Sequence, residues 1–337
     1  MLNPEIAIDF GASNIRLFLD GKGIVVNEPG MLAVDVRDEA VLASGKDARE
    51  LIDRNAAVVE VRNAFTFGRI QNFPMASHII TRHIKKQAVG RISLPGAYVS
   101  APDDLTSVDR QAITDLIVDT GIKRVYFLSE SCCAALGAGV NIFTDVPVFI
   151  LDIGASKTTC AMIRRGVPEI VRTLTLGGRD MDDAIIMMIK KRFGISIGHN
   201  SAEELKIATA SALVPEKEII AEVKGLNVLT CLPDKANVSS EDTSSVISGI
   251  CEAIADLVTG VMSEMDDTAY SMLPQNGLIV TGGGARIDGM DRFLRRKTGL
   301  ETYIPERPEL CAVNGAARVF DLKDKNARAA VIRYSNR

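Results

Sequence analysis

EIAIDFGASNIRLFL, from Glu5 to Leu19, and VFILDIGASKTTCAMI, from Val148 to Ile163, are two copies of one pattern set 143 positions apart. Each is an apolar strand that runs into Asp-x-Gly-Ala-Ser and resumes as a second strand, which is how a β-hairpin with a tight glycine turn is written. The repeat predicts two halves of like architecture, each headed by a hairpin that carries an aspartate. In the first half, strands over Ala97 to Ser100 and Val125 to Leu128 alternate with helices over Pro74 to Gln87, Val108 to Thr120 (opened by Ser107) and Ser131 to Val140. Residues 34–66, with a short helix near Lys46 to Arg54, read as a small insertion. In the second half, helices over Met181 to Phe193 and Ala202 to Ala212 precede a β-rich stretch, residues 213–242. A long helix from Asp242 to Met265, a strand from Gly277 to Thr281 and a helix from Met290 to Thr298 follow. Alternation of this kind implies an α/β chain with parallel strand pairs.

The chain has 337 residues, 47% of them hydrophobic and 24% charged, enough to build two cores and unlike a disordered composition. A formal net charge of −4 provides no chain-wide basic field, so nucleic acid is not expected as a partner. Six cysteines without paired metal-ligand spacing, and no leader pattern before Ile6, suggest a reducing cytoplasm. No unbroken apolar run comes near the roughly 20 residues of a membrane span, so the chain is not expected to cross a bilayer.

Asp9 and Asp152 end apolar strands, each followed by glycine and small residues. Such a turn lets backbone N–H groups approach a phosphate while the carboxylate faces its metal, and two turns together suit one triphosphate. Either alone reads more simply as an ordinary hairpin with a turn aspartate; repetition favours the phosphate reading. A third element, IVTGGGARIDGMDRFL from Ile279 to Leu294, takes a strand into three consecutive glycines before a helix. Packing against a neighbouring strand explains that turn as well as a ligand does.

With these motifs in place the chain resembles the MreB family of bacterial actin-like proteins, within the actin, sugar kinase and heat-shock chaperone ATPase superfamily. IAIDFGASNIRLFLDGKGIVVNEPGMLAVD from Ile6 carries the resemblance, and GKGIVVNEP within it is characteristic of MreB. Further matches are SESCCAALGAG at Ser129, LGGRDMDDAIIMMIKKRFGISIG at Leu176, SAEELKIATASA at Ser201 and LIVTGGGARIDGMDRFL at Leu278. The resemblance implies an actin-like bilobed α/β fold, two duplicated ribonuclease H-like cores each with a smaller inserted subdomain. Residues 1–33, 67–145 and about 314–337 would form the first core, with 34–66 inserted; 146–180 and 243–313 would form the second, with 181–242 inserted.

By the same resemblance ATP or ADP with Mg²⁺ lies between the lobes, and subunits stack head to tail into homopolymer filaments. Asp9 and Asp152 would face the metal. Gly11, Ala12, Ser13 and Asn14, with Gly154, Ala155, Ser156, Lys157 and Thr158, would wrap the phosphates, and Gly282, Gly283, Gly284 and Ala285 would line the nucleoside. Glu203 and Lys206, three apart on one helix face, would reach the adenosine; without the resemblance they read as an exposed charge pair. Glu130 and Thr158 are the candidate catalytic residues, with Glu130 orienting the attacking water; a helix-capping carboxylate is the plainer reading of Glu130.

This chain departs from the family pattern at both phosphate loops. Ala12, Ser13 and Ile15 stand where MreB proteins carry Thr, Ala and Thr, and Ala155, Ser156, Lys157 and Thr159 stand where they carry Gly, Gly, Thr and Glu. If a replaced glycine needed φ > 0, the loop would be strained by about 1–2 kcal/mol; slow ATP hydrolysis is the expectation. The family also implies a peripheral position at the inner face of the cytoplasmic membrane and contact with the cell-wall synthesis and division machinery. Candidate membrane contacts are Val89, Ile92 and Leu94 among basic residues, and the tail from Lys323, with five basic residues and one acidic. Competing expectations are a non-polymerising nucleotide-binding scaffold of the pilus-assembly type and a small-molecule kinase of the same superfamily.

Overall fold

The computed structural model describes residues 5–52, 58–88, 96–215 and 217–335. The chain divides into two compact units, residues 1–150, 161–171 and 309–337, and residues 151–160 and 172–308. The opening repeat is a hairpin as its sequence predicts: strands Ile6–Phe10 and Asn14–Leu19 pair antiparallel, with Asp9 opposite Arg16 and Phe10 opposite Ile15. Alternation decides the facing of the second strand, because Ile15, Leu17 and Leu19 are buried while Asn14, Arg16 and Phe18 are half-buried. The first strand is buried throughout and sits inside a six-stranded sheet. Strand order in that sheet is Ile332–Ser335, Arg124–Ser129, Gly96–Ala101, Ile6–Phe10, Asn14–Leu19, Gly23–Pro29.

Gly96–Ala101 runs parallel to both of its neighbours, and the register sets Asp9 and Leu128 beside Ser100. The carboxyl ends of these strands therefore lie at one edge, the edge where open α/β sheets take ligands. Strands Met31–Asp35, Val41–Ser44 and Val59–Asn63, with helix Lys46–Glu50, make a separate small sheet around Met31, Ala33 and Ala48.

The second repeat heads a five-stranded sheet in the order Val167–Leu174, Thr158–Arg164, Val148–Ile153, Leu278–Thr281, Thr302–Tyr303. Three consecutive strands followed by two later ones is also the order of the first sheet, which adds Ile332–Ser335 as a sixth strand at its edge, so the sequence repeat is a structural repeat. Residues 213–242 hold the predicted β structure as the hairpin Ile220–Asn227 and Pro233–Ser239. Helix Ser240–Ser263 starts in a capping box between Ser239 and Asp242. It has the length and apolarity of a membrane span. Its apolar side is instead core: Ile247, Cys251, Ile254, Val258 and Val261 are buried, and the helix packs on Gly178–Phe193, His199–Thr209 and Met290–Thr298.

Several boundaries differ from expectation. Thr106, not Ser107, caps helix Ser107–Val118, because its side chain accepts the Asp109 N–H while Asp109 accepts the Thr106 N–H. The tail from Lys323 is built into the first unit as helix Lys325–Val331 and edge strand Ile332–Ser335. Val331 is buried and Tyr334 lies against Phe127 with Arg110 over its ring, so these apolar side chains serve packing. Val89, Ile92 and Leu94 lie outside the described residues.

Helices Glu130–Gly137 and Cys311–Arg318 cross at backbone contact. A Cβ added to Gly315 would lie 1.7 Å from the Cys133 carbonyl oxygen, and one on Gly137 would lie 1.9 Å from the Cys311 carbonyl oxygen. Cys132 and Cys133 are fully buried in this crossing; burial pushes the Cys132 thiol up to about 12 and raises that of Cys133 well above its ordinary value, so both are small packing residues and not redox centres. Gly315→Ala should destabilise the protein by about 1–3 kcal/mol through forced separation of the helices. Urea denaturation checks this; an unchanged midpoint would contradict the crossing.

Candidate functional site

The two aspartate loops are built the same way. In each, the missing glycine side chain admits the carbonyl oxygen three residues on: a Cβ on Gly11 would meet Asn14 O at 2.6 Å, and one on Gly154 would meet Lys157 O at 2.8 Å. In the second loop the Gly154 N–H donates to that carbonyl at 2.9 Å. None of Ala12, Ser13, Ala155 and Ser156 has a positive φ, so the substitutions store no backbone strain and the expected 1–2 kcal/mol cost is absent. Ile15, which replaces a hydroxyl residue of the family pattern, is fully buried and packs toward Phe65 beside Gly30.

In the first unit, Asp9 is 5% exposed and its Oδ2 accepts a hydrogen bond from Arg16 Nη1 at 2.9 Å. Asn14 Nδ2 donates to Asn27 Oδ1 at 2.7 Å. Glu130 is the first residue of helix Glu130–Gly137; Ser129 caps it by accepting the Cys132 N–H, and Ser131 Oγ donates to Asp103 Oδ2 at 2.7 Å.

In the second unit, the predicted residues form one contiguous group. Asp152 Oδ1 accepts from Thr281 Oγ1 at 2.7 Å, which ties the second loop to the glycine turn. Gly282 and Gly284 are required by that junction, since added Cβ atoms would lie 2.3 and 2.2 Å from Ile153 atoms. Packing thus explains two of the three glycines. Gly283 is different: it is exposed and nothing stands within 4 Å of an added Cβ, so a ligand has room to approach its backbone. Ala285 is buried.

The start of helix Gly178–Phe193 packs on the second loop, with Gly178 N–H donating to Gly154 O and Arg179 N–H to Ala155 O. Those helix N–H groups are therefore engaged by the loop's carbonyls. Ser156 Oγ is buried without a hydrogen-bond partner, a donor waiting for an acceptor. Thr158 is fully buried and its hydroxyl donates to Leu176 O at 2.8 Å, while Thr159 shares a hydrogen bond with Thr173. The Thr158 side chain thus braces the loop.

Lys206 is not half of an exposed charge pair. It is 8% exposed, its Nζ lies 2.7 Å from Asp182 Oδ1, and it donates to Gly178 O at 2.9 Å. Burial raises the Asp182 carboxyl above its ordinary value, and Lys206 opposes that shift. Glu203 lies one turn earlier on the same helix, His199–Thr209, and is half-buried. Sequence reasoning missed Asp182, although its place four residues after Gly178, on a helix face otherwise holding Met181 and Ile185, marks it as inward-facing.

The arrangement fits a nucleotide's phosphates: Ser156 Oγ lacks an acceptor and Gly283 leaves its backbone open. The fit to a metal is poorer. Among the described residues no group of three or more His, Cys, Asp or Glu could hold a metal ion, and Asp9 is already matched by Arg16.

A profile of the MreB/Mbl protein family matches residues 3–328. Mbl of Bacillus subtilis, a cell shape-determining protein, is 28% identical over 326 residues, covering 96% of this chain and 98% of that protein. Cell shape-determining MreB of Escherichia coli K12 is 26% identical, covering 96% and 95%. Among solved structures, MreB5 of Spiroplasma citri bound to AMPPNP superposes with a TM-score of 0.92 at 26% identity, covering 98% of this chain and 99% of that one; its ADP complex gives 0.91, covering 95% and 96%. The double helical filament of MamK gives 0.81 at 17% identity, covering 95% and 99%, which speaks for the actin-like fold.

Replacing Lys206 by Met should cost about 3–5 kcal/mol in unfolding free energy, because it leaves the Asp182 carboxylate buried without its cation. The double variant with Asp182→Asn should recover most of that loss. Denaturant midpoints measure both; additive losses would contradict the pairing.

Proposed function

The chain belongs to the MreB/Mbl family, and from that premise we propose that it binds ATP and polymerises into actin-like filaments at the cytoplasmic face of the membrane, organising cell shape and wall synthesis. The observation that carries the reading is the family match across both aspartate loops, at the same glycine-supported geometry in each. Its structural neighbours support nucleotide as the ligand, since the Spiroplasma citri MreB5 structures hold AMPPNP and ADP.

Gly11, Ala12, Ser13 and Asn14, and Gly154 to Lys157, are assigned to the phosphates; Ser156 offers its unpaired hydroxyl. Gly283 admits the ligand to the glycine turn, with Gly282, Gly284 and Ala285 holding that turn in place. Glu203 is assigned to the nucleoside, and Lys206 supports the loop from behind through Gly178. Bound nucleotide supplies the hydrolysable phosphate. Glu130 is the residue assigned to orient water toward it, and Asp152 the carboxylate assigned to the magnesium of the hydrolytic step. Hydrolysis is proposed to be slow, because Thr159 stands where the family has glutamate and its hydroxyl is bonded to Thr173. Membrane contact is assigned to the stretch from Lys85 to Gly96, with Val89, Ile92 and Leu94 as the apolar anchors; in the tail Val331 is buried and Tyr334, though 41% exposed, packs one side against Phe127.

Purified protein should form sedimentable filaments on addition of Mg-ATP, visible by electron microscopy. Gly283→Val, in open space, should leave the melting temperature unchanged yet weaken nucleotide binding by about tenfold or more, equivalent to about 1.4 kcal/mol. Monomeric protein at all nucleotide concentrations would overturn the filament reading.

A further inference from the structure

The first aspartate loop contains a cation of its own. Arg16 stands directly across the hairpin from Asp9, and register places the two side chains on one face of the sheet. Ile15 and Leu17 are fully buried on the opposite face, so Arg16 cannot turn away without moving two core residues. Its Nη1 donates to Asp9 Oδ2 at 2.9 Å, with side-chain exposures of 13% for Arg16 and 7% for Asp9. The guanidinium fills the space beside the turn: a Cβ on Gly11 would lie 3.1 Å from Nη1. Its Nε is buried with no hydrogen-bond partner.

We propose that Arg16 is the resident counter-charge of Asp9, standing where a divalent cation would otherwise be drawn, so that this chain holds adenine nucleotide with little dependence on Mg²⁺. The inference rests on the nucleotide-binding reading above. For a metal to use Asp9, the guanidinium must leave a buried carboxylate and give up its own partner, a loss that opposes metal entry. The position of the second loop that corresponds to Arg16, 143 residues on, is Thr159, which carries no charge and bonds to Thr173. The Arg16–Asp9 pair is net neutral, so the first loop sets no uncompensated carboxylate against the phosphates, and the guanidinium's remaining N–H donors suit phosphate oxygens.

The test is titration of the full-length protein with a fluorescent ATP analogue in excess Mg²⁺ and in EDTA, alongside Arg16→Leu and Arg16→Lys, with thermal melts of each. The wild-type affinity should change by less than about threefold on removing Mg²⁺. Arg16→Leu, which leaves Asp9 unmatched, should bind weakly in EDTA and regain about tenfold or more with Mg²⁺, whereas Arg16→Lys should behave like wild type. A wild-type protein that loses tenfold or more in EDTA overturns the inference and leaves the nucleotide reading standing. So does an Arg16→Leu protein that folds and is as indifferent to Mg²⁺ as wild type. Absence of binding in both buffers overturns the nucleotide reading itself. The wild-type comparison needs no variant, so an Arg16→Leu protein that failed to fold would not decide the matter in its place.

Discussion

A backbone carbonyl that closes on a glycine three residues earlier is the contact on which the rest depends. It occurs at Gly11 with Asn14 and at Gly154 with Lys157, and in both places any larger residue would meet the oxygen at less than 3 Å. The turn fixes where the aspartate two residues before the glycine sits, and so fixes the edge of each sheet. Everything assigned to ligand binding in the second unit is then attached to the loop it heads: Thr281 to Asp152, Ile153 to Gly282 and Gly284, Gly178 to Gly154, Lys206 to Gly178.

Two halves that share this turn have diverged in what surrounds the carboxylate. Asp9 faces an arginine across its hairpin; Asp152 accepts a threonine hydroxyl from the glycine-rich strand. The same duplication thus yields one aspartate that accepts from an arginine and one that accepts from a threonine hydroxyl.

Much of this was legible in the chain. Strand and helix periodicity located both hairpins, the helix Met290–Thr298 to the residue, and the β insertion after Ala212. The helix Asp267–Asn276 was missed because Pro274 reads as a break. The burial of Lys206 against Asp182 was not legible because burial is tertiary: nothing local distinguishes a lysine aimed at solvent from one aimed at Asp182. The threefold glycine was ambiguous for the reason anticipated, since two of its members serve packing and one stays open. The Arg16 pairing, by contrast, could have been read directly, because a hairpin that opposes Phe10 to Ile15 must oppose Asp9 to Arg16.

The account comes down to whether the glycine-supported turns grip a nucleotide. A structure of this protein determined with AMPPNP tests that directly. The account predicts phosphate density within hydrogen-bond distance of Ser156 Oγ and of backbone N–H groups in Gly11 to Asn14 and Gly154 to Lys157. Nucleotide bound elsewhere, or none bound at saturating concentration, would contradict it.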